Sequence, residues 1–181
     1  MKVEQTNVVR LKLTEMEQLD PITIFIEDTA PRQGKITIEC YGKSWSTYFS
    51  GCGDNGLADF IVGLNTEYLV DRFDVRLEKY EPDFDLYLEE MRQKLIEMRK
   101  DQWISKGLAR ELYDVTDWSE YVTSNPYEPI KNPCFMYESE FDDLGFEGFD
   151  VPERVSSDYA YLCRIVDAVK AGLKQGAAIH G

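Results

Sequence analysis

Polar and apolar residues alternate with a period of two from Val8 to about Phe49. Val9, Leu11 and Leu13 take turns with Arg10 and Lys12, and Ile22, Ile24 and Ile26 with Thr23, Phe25 and Glu27. Pro21, ahead of the second run, suits a strand start rather than a helix. Asp28 to Gly34 is turn chemistry, because Pro31 fixes φ and Gly34 permits positive φ. Ile36, Ile38 and Cys40 then resume the alternation, and Tyr41-Gly42-Lys43-Ser44 links tightly into Trp45–Phe49. Links this short join antiparallel neighbours, since a parallel crossover needs about a dozen residues or more. The expectation is a four-stranded antiparallel meander.

Beyond Gly56 the period becomes helical. Leu57, Phe60, Ile61 and Leu64 share one helix face. Phe73, Val75 and Leu77 alternate briefly and suggest a fifth strand. Phe84, Leu88, Met91, Leu95 and Met98 form a seam opened by Pro82 and Asp83, and Ile104, Leu108, Leu112 and Val115 form a second. Leu162, Val166, Val169 and Leu173 mark a last helix from Ser157 to about Lys174, which Gly172 weakens and Gly176 stops. Strands first and helices after is an α+β order, with the meander packed against several C-terminal helices.

No internal repeat or Gly/Ser linker interrupts the chain, so the expectation for its 181 residues is a single domain. It comprises a sheet over 8–56, a helical part over 57–125, a Pro-rich and acidic connector over 126–156, and a terminal helix over 157–175. A 43% share of hydrophobic residues is enough for a core. The N-terminus lacks the apolar run of a signal peptide, and no window is apolar enough for a membrane helix. Four scattered cysteines without a C-x-x-C pair read as reduced thiols, and the expected location is the cytoplasm.

Charge narrows the partners. The formal net charge is -14, which argues against direct nucleic-acid binding, where Lys and Arg must displace counterions from phosphates. It also argues against an anionic membrane surface.

Several sequence features invite chemistry. Gly51-Cys52-Gly53-Asp54-Asn55-Gly56 satisfies G-x-G-x-x-G, but it follows a meander rather than the first strand of a βαβ unit. Asp54 and Asp59 would also repel a phosphate there, so a glycine-rich turn is the simpler reading. Cys52 stands near a helix start but lacks a base, the one histidine being His180. No zinc-ligand spacing exists. Asp142-Asp143 and Glu89-Glu90 are carboxylate doublets, and a small carboxylate- or metal-dependent enzyme stays open as an alternative. No catalytic residue, metal ligand or cofactor is assigned, and the leading reading is not an enzyme.

The acidic excess gathers in the second half. Glu138, Glu140, Asp142, Asp143, Glu147, Asp150 and Glu153 lie among Phe135, Tyr137, Phe141, Phe146 and Phe149, with no Lys or Arg from 135 to 153. Such a surface suits a basic partner by fast, salt-sensitive association, with the rings as desolvated anchors. The expected contacts are those seven carboxylates with Tyr137 and Phe141.

Trp45-Ser46-Thr47-Tyr48, the Gly51-Cys52-Gly53 turn, Asp59-Phe60 and Asn65-Thr66-Glu67-Tyr68-Leu69 together resemble a family of small uncharacterised proteins encoded by phages and prophages of enteric bacteria. The similarity spans about residues 8–75. It implies no catalytic residue, and, because Met often stands between the glycines in that family, no essential role for Cys52. It implies an accessory phage protein acting in the host cytoplasm. Joined to the acidic second half, this gives the leading expectation: an inhibitor of a host DNA-acting defence or recombination machine. It would present a DNA-mimicking surface to the basic cleft of a DNA-binding protein or nuclease complex. The alternative is a protein-protein interaction or regulatory module without mimicry, using strand addition at the sheet edge.

Overall fold

The computed structural model describes residues 1–3, 5–118 and 151–180, the side chains of 177–180 excepted. They belong to two compact units: Met1–Lys79 with Val155–Gly181, and Tyr80–Arg154.

The first unit opens with β1 (Val9–Leu13), β2 (Ile22–Ala30), β3 (Gln33–Cys40) and β4 (Lys43–Phe49). They form an antiparallel sheet in the order β1-β2-β3-β4, the expected meander. The β3–β4 link is a two-residue turn with positive φ at both Tyr41 (46°) and Gly42 (75°), the geometry whose twist matches the flanking strands. The β2–β3 link departs from expectation. Arg32, not Gly34, takes the left-handed conformation, with φ 64°. Gly34 instead lies inside β3, where its missing side chain makes room for Leu57.

One face of the sheet carries Ile22, Ile24, Ile36 and Ile38, all fully buried. They pack with α1 (Leu57–Gly63), α2 (Thr66–Phe73) and α5 (Ser157–His180), through Leu57, Ile61, Leu69, Val70, Leu162, Ile165, Val166 and Val169. Asn65 separates α1 from α2 and caps the latter, its Oδ1 accepting from the backbone N–H of Glu67 at 2.8 Å. The Phe73–Leu77 alternation is not a strand: α2 ends at Phe73 and a turn follows.

α5 is longer than expected and runs through Gly172 and Gly176 to His180. Neither glycine ends the helix; packing requires glycine at Gly172, whereas a Cβ at Gly176 would make only ordinary contact. A Cβ on Gly172 would come within 2.5 Å of Leu13 Cδ2, and one on Gly176 within 3.7 Å of Leu11 Cδ1. The cost of glycine inside a helix, about 1 kcal/mol, is accepted where the helix crosses β1.

The second unit contains α3 (Phe84–Lys100) and α4 (Lys106–Tyr113). Tyr87, Met91, Leu95 and Met98 of α3 are buried with Ile104, Leu112 and Trp118. The sequence seam places Phe84 and Leu88 on this face, yet both are only half-buried, and Tyr87 takes the interior position. Asp83 caps α3, accepting from Leu86 N–H at 3.0 Å, and Ser105 caps α4, accepting from Leu108 N–H at 3.2 Å. The short strands β5 (Tyr80–Pro82) and β6 (Glu153–Val155) pair with each other. Residues 153–155 are therefore strand, where the sequence reads as connector.

Candidate functional site

Of the nine expected contact residues, Tyr137, Glu138, Glu140, Phe141, Asp142, Asp143, Glu147 and Asp150 lie outside the described residues. Glu153 is described: it is exposed and opens β6. Its neighbour Arg154 collects three carboxylates of the second unit. Nε donates to Glu81 Oε1 at 3.0 Å, while Nη1 lies 3.5 Å from Asp85 Oδ2 and 3.8 Å from Asp83 Oδ1. The Glu81 hydrogen bond, with the charges of all three carboxylates, raises the guanidinium pKa above its ordinary value. Asp83 thus has two roles, since the same Oδ1 caps α3.

Along α3, Asp85, Glu89, Glu90 and Glu97 are exposed, and a shallow groove of about 610 Å³ is lined by Leu86, Ile96 and Tyr113 together with Glu89, Glu90 and Glu97 and the cations Arg92 and Lys94. Leu86, Ile96 and Tyr113 are 41%, 37% and 42% exposed, so the groove mixes apolar surface with charges of both signs. Arg92 closes one side, 5.1 Å above the Tyr113 ring and donating to its carbonyl oxygen at 3.4 Å. Sequence periodicity does not reveal this second stripe of α3, because Leu86 and Ile96 fall off the buried seam.

The glycine-rich loop is a turn. Gly53 and Gly56 have φ of 78° and 88°, the Cys52 N–H donates to Arg32 C=O at 2.8 Å, and the Cys52 side chain is buried. An all-antiparallel sheet precedes the loop and a seven-residue helix without a side-chain cap follows it, so the βαβ setting of a dinucleotide fingerprint is missing.

A polar cluster joins α5 to the α1–α2 connection. Lys170 Nζ donates to the Leu64 carbonyl oxygen at 2.6 Å and lies 3.4 Å from Thr66 Oγ1, which donates to Asp167 Oδ1 at 2.5 Å. Nearby, burial pushes the Cys163 thiol pKa up, helped by the charges of Asp167 and Glu67. Cys40 is buried with its Sγ 3.6 Å from Tyr161 Oη. Among the described residues, no group of three or more His, Cys, Asp or Glu side chains is arranged to hold a metal ion. No helix among them is long and apolar enough to cross a membrane.

With this geometry in place, the chain can be set beside known proteins. The family model Phage_phiTE_072, described as a phage family, matches residues 1–175. The chain belongs to that family. The Phage_phiTE_072 match reaches far past the 8–75 resemblance and takes in α3, α4 and most of α5. No curated protein and no solved structure matches the chain.

One cluster matches no sequence motif. Trp103, Arg99, Lys100 and Lys106 gather where α3 hands over to α4. The available signal was the break between Met98 and Ile104, where an apolar ring falls on neither seam.

Proposed function

We propose that this Phage_phiTE_072 member is a phage accessory protein that blocks a host DNA-acting defence or recombination machine. It offers carboxylates to a basic cleft that otherwise takes DNA, and it acts in the host cytoplasm. The observation that carries this reading is the distribution of charge. Residues 80–154 hold 19 carboxylates against 8 cations, while the remainder of the chain holds 15 against 12. The excess therefore belongs to one unit rather than to a general solubilising surface. Exposed Asp85, Glu89, Glu90 and Glu97 on α3, with Glu153, extend the acidic set formed by Glu138, Glu140, Asp142, Asp143, Glu147 and Asp150. Tyr137 and Phe141 are the anchors. Closely spaced carboxylates on a folded scaffold steer a basic partner and exclude like-charged competitors.

The test is capture from bacterial lysate on the tagged chain, eluted by salt and challenged with duplex DNA. A nuclease or other DNA-binding complex displaced by both is the expected partner. Replacing Glu138, Glu140, Asp142 and Asp143 by their amides abolishes capture without changing the circular dichroism spectrum. Undiminished capture by that variant defeats the proposal.

A second reading rests on β1. It is an edge strand, with Val8 and Val9 exposed, whereas on the opposite edge Arg72 Nη2 already donates to the β4 carbonyl of Tyr48 at 2.9 Å. A partner strand added to β1 would give binding that resists salt and is lost on proline substitution in β1.

A further inference from the structure

The turn between α3 and α4 holds its tryptophan outward. The backbone closes tightly after Lys100: Asp101 N–H donates to Glu97 C=O at 2.9 Å, and Trp103 N–H reaches back to Met98 C=O at 2.9 Å. Gln102 between them is left-handed, with φ 64°, and its N–H donates to Arg99 C=O at 3.3 Å, so α3 ends in a Schellman motif. Ile104 anchors the far side in the core, 4% exposed, while the Trp103 side chain is 75% exposed. An indole this exposed leaves most of its apolar ring face available to a ligand.

The surroundings of the ring identify what it fits. An open hollow of about 750 Å³ is lined by Arg99, Lys100 and Lys106 together with Gln102, Trp103 and Ile104, and no carboxylate lines it. In a chain of net charge -14, three cations line the hollow beside one exposed aromatic ring, although the exposed carboxylates Asp101 and Glu97 stand in the same turn. An acidic protein surface would meet the cations but find no apolar rim to dry the indole, since Ile104 is already buried. Hot spots of protein interfaces depend on such a rim. A nucleobase needs none: it stacks on the ring face while its phosphate reaches the cations.

We propose that the α3–α4 turn binds a nucleotide unit, with the base stacked on Trp103 and the phosphate held by Arg99, Lys100 and Lys106. The shared chemistry is an aromatic base carrying a phosphate, whether free or within a single strand. The net negative charge confines the contact to this turn, because repulsion from distant carboxylates grows with strand length. Binding is therefore short-range, limited to one or a few nucleotides. This is consistent with the charge argument against extended nucleic-acid binding and independent of the acidic surface proposed above.

The experiment is fluorescence anisotropy of a labelled thymidine hexamer with the full chain near 0.15 M salt, where the screening length is about 8 Å. Thymidine monophosphate and a poly-glutamate peptide serve as competitors. The hexamer is expected to bind saturably and to quench tryptophan emission. Trp103→Ala weakens binding roughly tenfold or more, while Trp103→Phe retains most of it, and Arg99→Glu and Lys106→Glu each weaken it. Three phosphate contacts limit the dependence of log affinity on log salt to a slope of about -2. Competition by the monophosphate at similar affinity assigns the site to free nucleotides, and its failure assigns it to a strand. The proposal is overturned by absence of hexamer binding, by equal binding to wild type and Trp103→Ala, or by displacement with poly-glutamate at equal charge. Trp103 is exposed, so its variants keep the fold, and circular dichroism verifies this.

Discussion

Gly34 lies directly beneath Leu57: a Cβ at Gly34 would sit 2.8 Å from Leu57 Cδ2 and 2.9 Å from the carbonyl oxygen of Glu27. The first obstacle is the end of a side chain that can turn aside. The second is sheet backbone, which cannot. Gly34→Ala is therefore expected to destabilise the chain by about 1–3 kcal/mol, the usual range for overpacking. Leu57→Ala should fail to rescue it, because the clash with Glu27 persists. Urea unfolding of the two single variants and the double variant measures both effects. Full rescue would show that side-chain crowding alone keeps glycine at this position.

The clamp between Lys170 and the α1–α2 connection makes a second prediction. Lys170 satisfies the Leu64 carbonyl at the end of α1 and contacts Thr66 at the start of α2. Hydrogen bonds to charged groups contribute about 1.5–3 kcal/mol, and Lys170→Met should cost toward the lower end because the site is only part-buried. Hydrogen exchange of the α2 amides should accelerate more than that of β2 and β3. Uniform acceleration would mean that the clamp supports the whole unit rather than this junction.

Two tyrosines set the behaviour at high pH. Tyr161 is pushed up to about 12 by its hydrogen-bond contact with the Cys40 thiol and by burial. Tyr87 is pushed up to about 12 by burial. Their folded-state values lie above the ordinary tyrosine value of about 10, so the native state holds these protons more tightly than the unfolded chain. Their contribution to stability is complete below about pH 10 and is lost as the pH climbs toward 12. Denaturation midpoints should accordingly fall over that window, and Tyr161→Phe should flatten the fall. A slope unchanged in both Tyr161→Phe and Tyr87→Phe would refute this assignment.

Asp83 and Arg154 separate capping from ion pairing. Asp83→Ala removes the α3 cap and should cost about 1 kcal/mol, most of it remaining at about 1 M salt, where the screening length is only about 3 Å. Arg154 is half-exposed in its pairs with Glu81, Asp83 and Asp85, and exposed pairs contribute little. Arg154→Ala should have a smaller effect that vanishes as salt rises. Thermal melts at low and high salt distinguish the two, and a salt-insensitive loss for Arg154→Ala would show that its side chain matters through packing.

Legibility in the sequence followed the range of the interaction. Alternation in β1 to β4 and the seam Met91-Leu95-Met98 were readable because one buried face imposes its period on adjacent residues. The short strands β5 and β6 were not, since each has three residues and pairs with a partner about 70 positions away. The glycines misled for a related reason. Gly34 read as a turn residue and Gly172 as a weak point of the last helix, yet each is where another element passes close by, and Gly176, read as a stop, lies inside the helix. The acidic segment was conspicuous in composition, and Glu153 is its one expected contact among the described residues. Trp103 carried no periodic signal at all.

Local chemistry in the sequence thus determined the α+β order, the antiparallel meander, Asp83 at the start of α3, and the uneven distribution of charge. Each depends on residues close together along the chain, where period, capping oxygens and turn length act directly. Tertiary structure decided the rest. It placed α5 across β1 through Gly172, gathered Glu81, Asp83 and Asp85 around Arg154, and turned Trp103 outward among three cations. Those relationships depend on which surfaces meet once the core has closed, and no local pattern encodes that meeting.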